Sequence, residues 1–223
     1  MSSQNQFTEE ELTLQRKTMV REQLLARGIG NKAVLSACEA VPRHRFIPEA
    51  YIARAYGDHP LPIGWGQTIS QPYIVAYMID RLSPGPNDRV LEIGTGSGYA
   101  AAVISRIASR VFTVERIEAL AERASAVFID LGYDNCVVRT ADGTVGWPEE
   151  GPFDCILVSA GAPEIPDTLQ NQLGPGGRMI IPVGGHTVQE LILVTNEDGR
   201  MLQQQTVAVR FVPLIGSQGW REE

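Results

Sequence analysis

The chain has 223 residues, 43% of them hydrophobic, and a formal net charge of −7. This length suits one large domain with a sizeable core, and the acidic balance argues against a nucleic acid as the main partner, since such proteins usually carry a clustered basic surface. No apolar run approaches the roughly 20 residues that cross a bilayer, and the N-terminus lacks a secretory signal. We therefore expect a cytoplasmic protein without nucleic-acid or membrane partners.

The first 82 residues are predicted to be mainly helical. Thr8 precedes three glutamates, and a capping hydroxyl with acids in the first turn favours a helix start. Two further helices are predicted at residues 31–41 and 70–82, on either side of an ordered irregular segment at residues 42–66 that is rich in proline and aromatic residues. The apolar stripe of the first helix, and the glycines that can end it, are predicted to be Leu12, Met19, Leu24, Leu25, Gly28 and Gly30.

From residue 83 onward, short apolar runs alternate with helical stretches. This alternation predicts a mostly parallel, doubly wound sheet with helices on both faces. The predicted strands are residues 89–93, 111–114, 136–139, 155–159 and 179–182, and the predicted helices are residues 99–108, 117–131 and 166–173. Residues 191–194 and 206–212 are expected to form an antiparallel hairpin across 196–199 at the sheet edge. We expect residues 1–82 to form an extension of an α/β core at 83–223, within one compact domain.

Residues 90–99, which read VLEIGTGSGY, are the most informative stretch of the chain. Glycines at 94, 96 and 98 allow a sharp turn after a buried strand, so that backbone can touch a ligand. A dinucleotide fingerprint would need a glycine at position 99, which is Tyr99. Glu92 adds a negative charge, which would repel the pyrophosphate of a dinucleotide. The pattern favours S-adenosylmethionine over NAD, with a ligand-free strand–helix turn as the alternative.

Acidic residues also follow the next two predicted strands. Because the carboxyl ends of adjacent parallel strands meet at the ligand crevice, Glu115 can accept hydrogen bonds from two ribose hydroxyls. Asp142, before Gly143, can accept one from an adenine amino group. The alternatives are a surface Glu115 paired with Arg116 or Arg123, and a plain Asp-Gly turn at 142–143.

The segment before the sheet carries Thr68, Ile69 and Ser70. In an extended segment Thr68 and Ser70 point to the same side. Ser70 also stands where a helix could begin, so an N-cap is the alternative to a role in binding.

No catalytic triad or metal site is marked out by the sequence. The histidines His44, His59 and His186 are scattered and lack metal-ligand spacing. The three cysteines include no Cys-x-x-Cys pair and are expected to be buried, reduced thiols.

Together these segments resemble the protein-L-isoaspartate O-methyltransferase family, in its bacterial form, from about residue 19 to 214. The family-specific segment is GQTISQP at 66–72, and the glycine pattern is common to class I methyltransferases. The other carriers are VPRHRFIP at 41–48, YGDHPLPIG at 56–64 and RFVPL at 210–214. Some eukaryotic members have a histidine where this chain has Tyr73, and we do not transfer its role to Tyr73.

The resemblance implies a class I S-adenosylmethionine-dependent fold, Rossmann-like, with an N-terminal helical extension and an antiparallel C-terminal edge. It implies methyl transfer from S-adenosyl-L-methionine to the α-carboxylate of L-isoaspartyl residues in damaged proteins or peptides. A monomer is our expectation for the assembly. Ser70 matches the family's active-site serine. The cofactor-binding positions that match are Glu92, Gly94, Gly96, Gly98, Glu115, Asp142 and Gly143. The expected substrate contacts are Thr68, Ile69, Phe211, Val212, Pro213 and Leu214, and no metal is expected.

Two rival functions remain open at this point. One is methylation of another small acid or hydroxyl by the same kind of sheet, and the other is a non-catalytic adaptor that keeps the cofactor fold as an interaction surface. An NAD-dependent oxidoreductase would need the missing glycine at position 99. The sequence leaves open the preferred flanking residues, the acceptance of D-aspartyl sites and the oligomeric state.

Overall fold

The computed structural model describes residues 7–222. Within that range the α-helices are α1 (Glu9–Met19), α2 (Lys32–Ala40), α3 (Pro72–Leu82), α4 (Tyr99–Ser105), α5 (Glu118–Leu131) and α6 (Asp167–Gln170). The strands are β1 (Leu61–Gly64), β2 (Gln67–Ile69), β3 (Arg89–Ile93), β4 (Arg110–Glu115), β5 (Cys136–Thr140), β6 (Phe153–Val158), β7 (Leu173–Gly184), β8 (Gln189–Glu197) and β9 (Arg200–Val209).

The first helix begins as predicted. The Thr8 hydroxyl accepts a hydrogen bond from the Glu11 amide, and the Glu11 carboxylate accepts one from the Thr8 amide, which makes a capping box. The chain then continues through a π turn (Val20–Leu24) and a 3-10 turn (Leu25–Arg27) to Gly28, whose φ is 93°. The placement of Leu25 on the apolar face is wrong: it is 54% exposed, because the wider π turn shifts the side chains that follow it.

Seven strands form the main sheet, in the order β5-β4-β3-β6-β7-β8-β9. The first five of these are parallel to one another, and β8 and β9 pair antiparallel at one edge. The strand order reverses between β3 and β6, and open α/β sheets bind ligands at the carboxyl ends of the strands beside such a reversal. The predicted doubly wound sheet with an antiparallel edge is confirmed.

The two faces of the sheet bury separate hydrophobic clusters because strand side chains alternate. Val90 and Val111 lie in one cluster, which also includes the first three helices and helices α4 and α5. Leu91 and Phe112 point to the opposite cluster, beside Leu169 of α6. Residues before the sheet therefore share a core with one face of it. The domain boundary at residue 82 stays a prediction.

Several element bounds differ from the prediction. Helix 166–173 is only the single turn α6, since Leu173 already begins β7. The first half of that long strand was not predicted, because residues 174–177 are glycine or proline and give no apolar pattern. The hairpin across 196–199 is confirmed, with a tight turn at Asp198 and Gly199, both at positive φ. Its second strand is Arg200–Val209 instead of 206–212, because its polar first half carries little apolar signal. The small sheet of β1 and β2 was not predicted.

Candidate active site

A cavity of about 540 Å³ opens at the carboxyl ends of β3, β4 and β6, a size within the usual range of small-molecule sites. Of the residues predicted for the site, the structure places the following in its lining: Thr68, Ile69, Ser70, Glu92, Gly94, Gly96, Glu115, Gly143, Val212, Pro213 and Leu214. Gly98, Asp142 and Phe211 do not line it.

The glycine loop, residues 94–98, forms one wall of the cavity. Gly94, Gly96 and Gly98 have φ values of 86°, 52° and 86°, a region that side chains strongly disfavour. A Cβ atom at Gly98 would lie 2.9 Å from the Phe128 ring, so this glycine packs the loop against α5. Gly98 therefore lets the loop pack closely against α5, whereas Gly94 and Gly96 line the cavity.

Glu92 lies beneath the loop and is 1% exposed. Its carboxyl accepts a hydrogen bond from the Thr113 hydroxyl at 2.6 Å, and that hydroxyl is in turn 2.6 Å from the Thr95 hydroxyl. Burial raises the pKa of Glu92 to about 8, against the partial opposing effect of Thr113. Burial therefore disfavours the negative charge that the sequence suggested for Glu92.

Glu115 is buried and braces the glycine loop. Its two carboxylate oxygens accept hydrogen bonds from the Gly96 amide at 2.8 Å and the Ile117 amide at 3.0 Å. The alternative of a surface ion pair is wrong, because Arg116 pairs with Glu222 and Arg123 donates to a backbone carbonyl. Each oxygen of Glu115 keeps a further lone pair for a ligand hydroxyl.

Gly143 lines the cavity, and Asp142 directly precedes it in the chain. The Asp142 carboxylate accepts hydrogen bonds from the amide and hydroxyl of Thr144 and from the Ser217 amide, at 2.6–2.8 Å. The bond from Ser217 connects Asp142 to the C-terminal part of the described chain. A Cβ at Gly143 would lie 2.6 Å from Ile93, so no larger residue fits there. The predicted adenine contact of Asp142 stays a prediction.

The acceptor segment, residues 67–70, forms another part of the cavity wall. Ile69 is buried, Thr68 is exposed and Ser70 is half-buried, as expected of an extended chain. Ser70 does not cap α3: the helix begins at Pro72 after Gln71, which makes no side-chain cap. The Ser70 carbonyl accepts a hydrogen bond from the buried Arg43 at 2.8 Å.

The crossing segment, residues 210–214, leaves the sheet edge and passes over the strand ends. The Gly161 amide donates to the Val212 carbonyl, and the Leu214 amide donates back to the Gly161 carbonyl, both at 2.8 Å. This pairing brings three of the four predicted C-terminal contacts to the cavity. Phe211 instead packs against the larger hydrophobic cluster.

The C-terminal segment, residues 215–222, adds site residues that the sequence reasoning missed. Trp220 lies with its ring centroid 3.9 Å from that of His186, which lines the cavity, and its indole nitrogen donates to the Gly161 carbonyl at 3.0 Å. Arg221 and Glu222 also line the cavity. No local motif marks these residues, and only their contacts with distant parts of the chain reveal them. Tyr99 was also missed, although its place directly after the glycine loop was a usable signal.

Across residues 7–222, no group of three or more histidine, cysteine or acidic side chains is arranged to hold a metal ion. Over the same range, every helix is too short or too polar to cross a membrane. The cysteines are free thiols, and Cys38 and Cys155 are buried as predicted, whereas Cys136 is only half-buried.

Comparisons with known proteins agree with this geometry. Residues 14–219 match the family model described as protein-L-isoaspartate(D-aspartate) O-methyltransferase. A protein-L-isoaspartate O-methyltransferase of Pelotomaculum thermopropionicum is 57% identical over 210 residues, which is 94% of this chain and 92% of that protein.

Two solved structures are similar over most of the chain. One, named protein-L-isoaspartate O-methyltransferase, has a TM-score of 0.84 and 31% identity, over 92% of this chain and 67% of that one. The other, of the same enzyme name, comes from Plasmodium falciparum and holds S-adenosyl-L-homocysteine; its TM-score is 0.77 at 28% identity, over 90% of this chain and 98% of that one. The chain therefore belongs to the protein-L-isoaspartate(D-aspartate) O-methyltransferase family.

Proposed function

We propose that this chain repairs damaged proteins by transferring a methyl group from S-adenosyl-L-methionine to the α-carboxylate of L-isoaspartyl residues. The observation that carries the proposal is that the glycine loop and the acceptor segment line the same cavity. A donor wall and an acceptor wall that share one space are what a direct group transfer requires. Membership of the family supports the same activity.

The residues present fit S-adenosyl-L-methionine. Gly94 and Gly96 let a ligand approach backbone atoms, Gly143 leaves no side chain in the way, and Glu115 offers acceptor lone pairs to a ribose. Arg116, which also lines the cavity, is paired with Glu222 at 3.0 Å. When bound, this cofactor supplies a methyl carbon attached to a positively charged sulfur.

The acceptor chemistry needs little from the protein beyond positioning. A carboxyl with an ordinary pKa near 4 is already ionised at neutral pH, so no general base has to remove a proton. We assign Ser70 the role of donating a hydrogen bond that orients the acceptor carboxylate. Thr68, Ile69 and residues 212–214 frame the peptide on either side of it. Alignment of the reacting atoms then supplies most of the rate.

Two peptides that differ only in one normal or isoaspartyl linkage test this function. Incubation with methyl-labelled cofactor should label the isoaspartyl peptide and leave the normal peptide unlabelled. A third peptide with a D-aspartyl residue decides whether that site is also accepted. Equal labelling of the first two, or none, would overturn the proposal and favour methylation of another acid or a non-catalytic role.

The remaining assignments rest on composition and on the family. We propose a cytoplasmic monomer whose partners are damaged polypeptides, with neither nucleic acid nor membrane among them. Light scattering coupled to size-exclusion chromatography checks the oligomeric state, with a mass near 24.4 kDa expected.

A further inference from the structure

Arg43 is a fully buried arginine outside the site residues described above. Its side chain is 0% exposed, and within residues 7–222 it forms no ion pair with a carboxylate. Burial lowers the pKa of Arg43 to about 10, so the guanidinium is still charged at neutral pH. A buried charge without a carboxylate partner is costly, and a stable core alone does not call for one.

The guanidinium joins three segments that are far apart in sequence. Its Nε donates to the Ala55 carbonyl at 2.9 Å, and one Nη donates to the Ser70 carbonyl at 2.8 Å. Its Cζ also lies 4.9 Å from the centre of the Tyr99 ring, in a cation–π arrangement. Tyr99 is the first residue of α4, directly after the glycine loop, and it lines the cavity.

The backbone of Ser70 is not held by regular secondary structure. It lies between β2 and α3, outside both elements. On its C-terminal side, Asp58 accepts hydrogen bonds from the Gln71 side chain at 2.7 Å and the Tyr73 amide at 3.3 Å. Ser70 itself is held by Arg43. Because a guanidinium is planar, its contacts with Tyr99 and with two carbonyls fix the carbonyl of Ser70 relative to the start of α4.

We propose that Arg43 is a positioning residue, which holds the Ser70 hydroxyl at a set distance from the cofactor wall. The inference rests on the proposed function of Ser70. Arg43 touches neither reacting group and acts through the Ser70 backbone on one side and the Tyr99 ring on the other. Its effect should therefore fall on the rate of transfer and leave cofactor binding nearly unchanged.

The test is a double-mutant cycle of Arg43→Lys and Ser70→Ala, assayed on an isoaspartyl peptide. Lysine keeps the charge but cannot serve both carbonyls and stack on the ring. We expect Arg43→Lys to lower kcat about 10- to 100-fold, with the Kd for S-adenosyl-L-homocysteine, measured by calorimetry, within about threefold of the wild-type value. In the Ser70→Ala background the same change should lower kcat less than about twofold, because the group being positioned is gone.

Arg16→Lys is the matched control. Arg16 is a half-buried arginine of α1 that contacts Tyr56 and Thr13 and does not reach Ser70, so kcat should not change. Circular dichroism shows whether each variant is folded at the assay temperature. Arg43→Gln, which keeps one amide donor, completes the cycle if the lysine variant is unfolded.

The possible outcomes separate this inference from the proposed function. If the wild-type chain does not label the isoaspartyl peptide, the proposed function fails first. If the wild type is active but the two losses are additive, or Arg43→Lys weakens cofactor binding as much as it lowers kcat, then Arg43 has only a structural role.

Discussion

The two walls of the cavity are held in place by different means. The glycine loop is fixed by backbone geometry: three positive φ angles, strand β3 before it, helix α4 after it, and the carboxylate of Glu115 on the Gly96 amide. The other wall, called here the acceptor wall, comprises the acceptor segment and the C-terminal segment, and single side chains fix it. Arg43 holds Ser70, and Trp220 holds the C-terminal segment. A change in the glycine loop should therefore alter cofactor affinity. A change in the acceptor wall should alter the rate of methyl transfer or the local stability of the C-terminal segment.

The largest effect is expected at Gly94. In Gly94→Val, a backbone strain of roughly 1–3 kcal/mol adds to a side chain that projects toward the cavity, and a Cβ there would already lie 3.6 Å from that of Ser159. We expect affinity for S-adenosyl-L-homocysteine to fall about 100-fold or more, as measured by calorimetry, since both effects act at the ligand.

Gly28→Val is the control for backbone strain alone. Gly28 has a similar φ of 93°, and a Cβ there would meet no atom within 4 Å. This variant should lose stability and keep its affinity. Equal loss of affinity in the two variants would show that the glycine loop is not a special binding surface.

Ser70→Ala should produce the next largest effect. A hydrogen bond to a charged group is worth about 1.5–3 kcal/mol, so kcat on the isoaspartyl peptide should fall about 10- to 100-fold. Affinity for S-adenosyl-L-homocysteine should stay within about twofold, because the mutation leaves the glycine loop untouched. Ser70→Thr, which keeps a hydroxyl, should retain part of the rate. Turnover at the wild-type rate by Ser70→Ala would remove the assigned role.

The same contrast explains what the sequence could predict. The strand at 89–93, the glycine loop and Glu115 follow from local patterns, because apolar periodicity and glycine spacing act over a few residues. His186 and Trp220 could not be predicted, since they meet only when the C-terminal segment folds back over the strand ends. Ser70 was identified through the family resemblance, and its chemistry alone left a helix cap equally open. The raised pKa of Glu92 could not be predicted for a similar reason, since burial is a property of the whole fold.

The next prediction concerns Glu92 and the way in which the free energy of unfolding varies with pH. The folded chain keeps a proton on this carboxyl up to pH about 8, whereas an ordinary carboxyl releases it near 4.5. Stability should therefore decrease as pH rises through that window, because the unfolded chain releases this proton at a lower pH than the folded chain does. Glu92→Gln should flatten the decrease, as followed by urea unfolding at pH 5 and pH 8. The exposed Glu197→Gln should leave it unchanged, and an identical pH dependence in Glu92→Gln would mean that the buried carboxyl is ionised throughout.

The smallest effect is expected at Asp142, whose carboxylate holds the C-terminal segment through the Ser217 amide. Partial burial opposes its ionisation, but hydrogen bonds from Ser217 and Thr144 outweigh this and hold the pKa of Asp142 below its usual 3.8. A depressed pKa stabilises the fold above the unfolded value, and this stabilisation is lost as pH falls through the folded pKa. Asp142→Asn removes it at neutral pH and turns an acceptor into a donor toward one of these groups.

We expect Asp142→Asn to loosen the C-terminal segment by about 1 kcal/mol, which corresponds to roughly fivefold faster amide exchange at residues 215–220. The exchange of β3 and β4 should not change, because the sheet does not depend on Asp142. Asp167→Asn, at an exposed aspartate of α6, is the matched control. Faster exchange throughout the sheet would mean that the two walls are not independently held, and the contrast between them would then fail.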